Sequence, residues 1–351
     1  MERPEDQDDN DDVYVEERLI RVDPGQKPLR IDRYLVDRTL RLSRSRIQDG
    51  IRDGSVLVNG ERVKPNYKVV PGDEIKLLEP KPYDDNVELI AQPMHLDIVY
   101  EDDEVLVLEK PPGVVVHPGI GNYRDTLVNG LAYYFQGKDL PVAEGNPDNR
   151  IGLVHRIDKD TSGLMVIAKT PHAMTHLGRQ FFEHTVHRRY VALVWGTPEP
   201  PAGTIRGNVA RDPSDRRRMA VTRDPEVGKW AVTHYRTLED LYYVSLVECA
   251  LETGRTHQIR VHMRHLGHPL FADYRYGGDR ILKGTVFSKY TRFVENTLQV
   301  LPRQALHARE LGFVHPTTGE EMRWVSEIPD DFAAGLERWR AYLASRKEAM
   351  E

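Results

Sequence analysis

With 351 residues, 39% of them hydrophobic and 30% charged, the chain has room for two domains or more and the composition of a water-soluble globular protein. No apolar run approaches the roughly 20 residues of a bilayer span, Met1-Glu2-Arg3-Pro4-Glu5 carries no export signal, and the lone Cys249 leaves no intramolecular disulfide, so a cytoplasmic protein is expected. The net charge of −6 argues against nucleic acid only on average: residues 1–18 carry −7, leaving +1 on the remainder, with +4 on residues 19–80.

Residues 1–18 read as a disordered, solubilising acidic tail. The first folded unit is expected over residues 19–80. Ile31, Tyr34, Leu35 and Leu40 have helical spacing. Ser43 suits the N-cap of a second helix over Arg44–Asp53, with Ile47 and Ile51 on one face and Gly54 ending it. Val56 to Val63 reads as a hairpin turning at Asn59-Gly60, and Val69 to Leu77 as a turn and strand. Ser43-Arg44-Ser45, Gly54, Val58-Asn59-Gly60 and Gly72-Asp73 together resemble the small RNA-binding module typified by ribosomal protein S-four. The resemblance implies phosphate contacts, for which Arg41, Ser43, Arg44, Arg46, Arg52 and Lys64 are the candidates. A solvated basic face is the alternative.

Residues 81–92 form a polar, proline-interrupted linker. A second domain is expected over 93–328, followed by a packed C-terminal helix in 329–351 whose Phe332, Leu336, Trp339, Tyr342 and Leu343 share one side. Strands are expected at Val105–Leu108, Leu164–Ala168, Tyr190–Val194, Val232–Tyr235, Tyr243–Cys249 and Leu311–Val314, and helices at Thr126–Phe135 and Ala173–His184. The fold class is α+β: a large mixed, mostly antiparallel sheet flanked by helices, plus the small N-terminal α+β module.

The most informative run is Val154-His155-Arg156-Ile157-Asp158-Lys159-Asp160-Thr161-Ser162-Gly163-Leu164. It is a dense polar turn between two apolar stretches, Ile151–Val154 and Leu164–Ala168, which both read as buried strands. Charges at the lip of a core cost free energy unless they are paired or used. A salt-bridged turn would explain the run taken alone. The whole string resembles the signature of the pseudouridine synthases that act on ribosomal RNA. Glu109-Lys110-Pro111-Pro112-Gly113 with His117-Pro118, Arg188 to Val194, Glu252 to His262, Leu266 to Leu270 and Leu306-His307-Ala308 follow in the order of that family, most similar to the synthase D branch of its large-subunit enzymes. One departure is Ala272 before Asp273, where glycine is expected.

The resemblance implies isomerisation of uridine to pseudouridine in large-subunit (23S) ribosomal RNA, in the helix that contacts the decoding region. Another rRNA hairpin or a tRNA is the alternative substrate. The reaction breaks N1–C1′, turns the uracil and joins C5 to C1′. It requires neither metal nor nucleotide, so no cofactor is expected, and the protein is expected to be a monomer. Asp158 is the implied carboxylate that attacks C1′ or abstracts the C2′ proton. Tyr190 is implied to stack on the base and handle the C5 proton, and Arg255 to pair with Asp158. Ile259 would form an apolar wall of the base pocket. His155 and Arg156 would meet the base or RNA nearby, with Arg156 able to fill the space of a flipped base or hold a phosphate. Asp160 would brace the turn with Thr161 and Ser162. The loop around Arg216 is a further candidate for backbone contact. Two rival readings remain: a metal hydrolase using the crowded His257, His262, His265 and His268, which lack the His-Glu-x-x-His pattern, and a non-catalytic RNA-binding assembly factor.

Overall fold

Alternation and turn chemistry set the architecture of the computed structural model, which describes residues 15–36, 38, 44–80, 89–118, 122–136, 140–142, 150–215, 217–284 and 287–348. Arg41, Ser43 and Arg216, the tail to residue 14 and the linker at 81–88 lie outside the described residues, as does the side chain of Arg46. The chain divides into two compact units. One is built from the described residues of Asp85–Ile205 and Val232–Glu351, the other from those of Asp11–Asp84 and Arg206–Ala231. Among the described residues, no helix is long and apolar enough to cross a membrane.

The smaller unit contains β1 (Val15–Arg21), β2 (Leu29–Arg30), α1 (Ile31–Val36), α2 (Arg44–Asp53), β3 (Val56–Val58), β4 (Glu61–Arg62), β5 (Lys68–Val69) and β6 (Glu74–Pro80). Its main sheet runs β1-β6-β3-β4. Asn59 and Gly60, both at positive φ, make the expected tight turn of the β3–β4 hairpin. Ile31, Tyr34, Leu35, Ile47 and Ile51 face the strands in one core. Asp32 is wholly buried beneath α1 and takes hydrogen bonds from Arg30, Arg44 and Gln48. Burial alone would raise its carboxyl; the three donors outweigh burial and hold it far below the usual carboxylate range.

The larger unit holds β7 (Asp97–Glu101), β8 (Val105–Lys110), α3 (Leu127–Tyr134), β9 (Ser162–Ala168), α4 (Pro171–Phe182) and β10 (His187–Trp195); β11 (Ala202–Arg211) begins in it, and the rest of that strand with β12 (Met219–Thr222) belongs to the smaller unit. β13 (Lys229–Asp240), β14 (Val244–Leu251), α5 (Gln258–His265), α6 (Ser288–Val300), β15 (Leu306–Val314), β16 (Glu321–Val325) and α7 (Asp330–Glu348) follow. The strand order from β13 is β13-β14-β10-β15-β9-β8-β7, with β16 on β15. Among these pairs only β15 and β9 run parallel, at His307–Ser162 and Ala308–Gly163. The strand period of two gives β10 two coherent faces: Tyr190, Ala192 and Val194 enter the core that includes α3 and the start of α5, whereas Val191, Leu193 and Trp195 enter the core closed by α6 and α7.

Three sequence expectations change. Residues 15–18, read as the end of a disordered tail, belong to β1 and pair with β6. Ile151–Val154 is not a strand: Gly152 turns at φ 69°, and Leu153 makes only an isolated bridge to Ile167. An apolar run alone does not distinguish a strand from a buried turn. Residues 206–231, read as part of the second domain, cluster instead with the N-terminal unit.

Candidate active site

The polar run between Val154 and Leu164 is a loop fixed from three sides. Lys110, at the end of β8 and only 1% exposed, donates its ammonium to the carbonyls of Pro111, Val114 and Lys159 at 2.7, 2.9 and 2.8 Å. Gly113 N–H adds a bond to the same Lys159 carbonyl. These bonds explain the Glu109–Gly113 motif, which ties β8 to the loop carrying Asp158. From the other side Arg303, held by both oxygens of Asp331 on α7, donates to the Asp160 carbonyl at 2.9 Å. Within the loop, Thr161 N–H bonds the Asp158 carbonyl, and Ser162 Oγ lies 3.0 Å from His307 Nδ1. A Cβ on Gly163 would sit 2.3 Å from the Ala308 carbonyl oxygen, so the close parallel approach of β9 and β15 requires glycine.

Asp158 emerges from this loop with its side chain 14% exposed and meets Arg260 Nη1 at 3.0 Å. Arg260 lies on α5, is 1% exposed, and spends its other edge on Asp273, Nε to Oδ2 at 2.8 Å and Nη2 to Oδ1 at 3.0 Å. This is the bidentate geometry that suits arginine. Burial would lower the Arg260 guanidinium; Asp273 and then Asp158 outweigh it and hold it well above its ordinary value. Tyr276 lies across Arg260 at 5.0 Å, and its hydroxyl is 2.9 Å from His257 Nδ1.

The family resemblance implies Arg255 as the cation for Asp158. The structure pairs Asp158 with Arg260, five residues on, and puts Arg255 in the loop before α5, lining the same cavity. The intervening residues set the difference. His257 adopts a left-handed conformation, φ 53°, that starts α5 abruptly. Buried Gln258 locks the loop by accepting from Arg255 N–H and Thr253 Oγ1 and donating to the Val232 carbonyl and Thr233 Oγ1. One turn of helix then brings Arg260 to Asp158. On the string the two arginines are equally plausible; the buried Arg260–Asp273 pair that separates them exists only in the fold. The Asp273 turn is tight: Ala272 sits at φ 62°, the left-handed region where glycine was expected.

The cavity, about 460 Å³, is lined by Asp158, Tyr190, Arg255, Ile259 and Arg260, with His155, Arg156, Phe181, Phe182 and Arg188 around them. Tyr190 is buried. Burial raises its hydroxyl, a shift opposed by Arg188 and reinforced by Asp158. His155 accepts a hydrogen bond at Nε2 from Val166 N–H and stacks on Phe181 at 4.6 Å. Burial, then the nearby Arg188, lowers it to about 3, so it is neutral and completes the β9 edge. Phe182 is 83% exposed at the rim.

The crowded histidines have other engagements: His262 Nδ1 lies 2.9 Å from Thr233 Oγ1, and His268 Nδ1 donates to the Trp195 carbonyl at 2.8 Å. Cys249 is buried and its thiol is pushed up to about 12, so it packs as a small hydrophobe. In the smaller unit, Arg44, Arg52 and Lys64 are all exposed, and Arg44 also pairs with Asp32.

Comparison with known proteins accounts for the arrangement. A family model described as RNA pseudouridylate synthase matches residues 104–265, and an S4-domain model matches residues 29–75. The chain is 44% identical to an uncharacterized RNA pseudouridine synthase, YlyB, of Bacillus subtilis, over 90% of this chain and 95% of the relative. It is also 44% identical to ribosomal large subunit pseudouridine synthase D of Neisseria meningitidis serogroup B, over 86% of this chain and 76% of the relative. Among solved structures, human RNA pseudouridylate synthase domain containing 4 superposes with a TM-score of 0.52 at 26% identity, covering 70% of this chain and 93% of that one. With its α+β sheet, S4 module and ordered motifs, the chain belongs to the RNA pseudouridine synthases.

Proposed function

We propose that this enzyme converts uridine to pseudouridine in large-subunit ribosomal RNA, in the helix that contacts the decoding region. The ion pair between Asp158 and Arg260 inside the cavity carries this reading. Asp158 is the carboxylate beside the sugar, Arg260 holds it ionised and aimed, and Asp273 fixes Arg260. Tyr190 stacks on the uracil and manages the C5 proton, and Ile259 walls the base pocket. The N1–C1′ bond breaks, the uracil turns, C5 joins C1′, and the C5 proton leaves as N1 gains one. Arg156 and Arg255 meet the RNA at the cavity mouth. His155 supports the wall through Val166 rather than reading the base.

The domains act as a tether and a catalyst. Residues 19–80 bind RNA electrostatically, with Arg52 and Lys64 among the contacts, while 93–205 and 232–328 with the helix of 329–351 perform the chemistry. The enzyme is proposed to work as a monomer in the cytoplasm. The relative named for the ribosomal large subunit supports rRNA as the substrate. Tritium release from large-subunit RNA labelled at uridine C5, followed by mapping of the modified positions, tests both the activity and the site. Release from tRNA alone would replace the substrate, and absence of release from any RNA would favour an assembly factor.

A further inference from the structure

We propose that Arg188 is an anion site within the catalytic cavity that grips a phosphodiester adjoining the target uridine; this rests on the reading above. β10 presents Arg188 and Tyr190 two residues apart, so both project to the same face. Arg188 is 8% exposed, yet no carboxylate lies within ion-pair distance of it among the described residues. The comparably buried Arg260 and Arg303 each have a carboxylate, Asp273 and Asp331 respectively. Arg188 Nη2 donates to the Glu252 carbonyl at 3.2 Å, its guanidinium lies over the Phe181 ring at 5.4 Å, and its Nε has no hydrogen-bond partner among the described residues.

A buried, uncompensated cation is expensive, and burial pulls the Arg188 guanidinium down from its ordinary value. The fold nonetheless makes room for it. A Cβ on residue 254 would come within 2.8 Å of Nη1, so Gly254 admits the guanidinium to the cavity wall. The nearby His155 is neutral and Arg260 is consumed by two carboxylates. An arginine fork left without an anion beside the carboxylate that attacks the sugar matches the one anion every RNA nucleotide brings. Gripping that phosphate places C1′ relative to Asp158, making Arg188 a substrate-positioning residue.

The test is a cycle between protein and RNA. A synthetic hairpin carrying the mapped uridine is made with one uncharged methylphosphonate linkage, placed in turn 5′ or 3′ of that uridine. Arg188→Met should lower kcat/KM by about 10- to 100-fold, the range for a lost charge-assisted hydrogen bond. The methylphosphonate at the gripped position should cost the wild type about the same and cost Arg188→Met almost nothing, because the partner is already gone. The melting temperature of Arg188→Met should be unchanged or higher, since an unpaired buried charge has been removed. Arg188→Lys should fall between. Independent, multiplying losses would overturn the proposal, as would a wild-type enzyme indifferent to both linkages, a result that decides even if Arg188→Met fails to fold. A shifted alkaline limb of the kcat profile with unchanged linkage sensitivity would mean that Arg188 acts on Tyr190 instead. No turnover by the wild type on unmodified hairpin would overturn the enzymatic reading on which the proposal rests.

Discussion

Replacing Asp273 with Asn perturbs the site without touching the sugar-facing carboxylate. The amide keeps the volume and one acceptor but loses the charge that fixes Arg260 Nε and Nη2 at 2.8 and 3.0 Å. Both partners are buried, 0% and 1% exposed, so water cannot substitute. Removing one member of a buried pair costs about 3–5 kcal/mol. Arg260 keeps Asp158 at Nη1 and Asn supplies one oxygen, which favours the lower end, about 3 kcal/mol. At roughly 2–4 °C per kcal/mol for a unit of this size, melting should fall by about 6–12 °C. Calorimetry reads this directly. Single-turnover isomerisation at a temperature where the variant is folded should also slow, because Arg260 is no longer anchored from behind. The double variant Asp273→Leu, Arg260→Met should recover part of the stability but none of the activity. An Asp273→Asn enzyme melting within 2 °C of wild type and turning over at the wild-type rate would refute the reasoning.

Other consequences can be checked separately. Ala272→Gly should stabilise the protein by up to about 1 kcal/mol, because the left-handed φ of 62° strains alanine and not glycine; a lower urea midpoint would contradict this. Burial lowers His117 and His155 to about 3 and His262 and His307 to about 4. A lowered histidine contributes stability that is complete above pH 6.5 and is lost as pH falls toward the folded value. Stability should therefore drop between pH 6.5 and 4 with a slope approaching about four protons, and His155→Gln should remove about one; a flat profile there would show these rings to be accessible. Deleting residues 1–80 should weaken rRNA binding and flatten its salt dependence, as fewer counterions are released; unchanged affinity across a salt titration would give the module another task.

Much of this was legible in the residues. The strand period of β10, the Asn59-Gly60 turn and α2 follow from local chemistry and survive in three dimensions. The loop of Asp158 was recognisable because its whole string resembles the pseudouridine synthase signature; charges crowded against apolar runs would by themselves have fitted a salt-bridged turn. What failed was reach. Arg255 and Arg260 are equally plausible partners on a string, and the choice depends on where α5 starts, which a left-handed His257 and a buried Gln258 decide. The apolar Ile151–Val154 looked like a strand, but Gly152 at φ 69° turns the backbone instead. Arg188 stood in view beside Tyr190, yet that its buried Nε has no hydrogen-bond partner among the described residues can be seen only once the fold shows what surrounds it.

The most direct measurement is single-turnover pseudouridine formation by Asp158→Asn on large-subunit rRNA, with RNA affinity measured on the same preparation. The amide keeps the size of the carboxylate but neither attacks C1′ nor takes a proton, so product should be absent while affinity stays near wild type. Turnover within about tenfold of wild type, a loss of no more than ~1.4 kcal/mol in barrier terms, would contradict Asp158 as the reacting carboxylate.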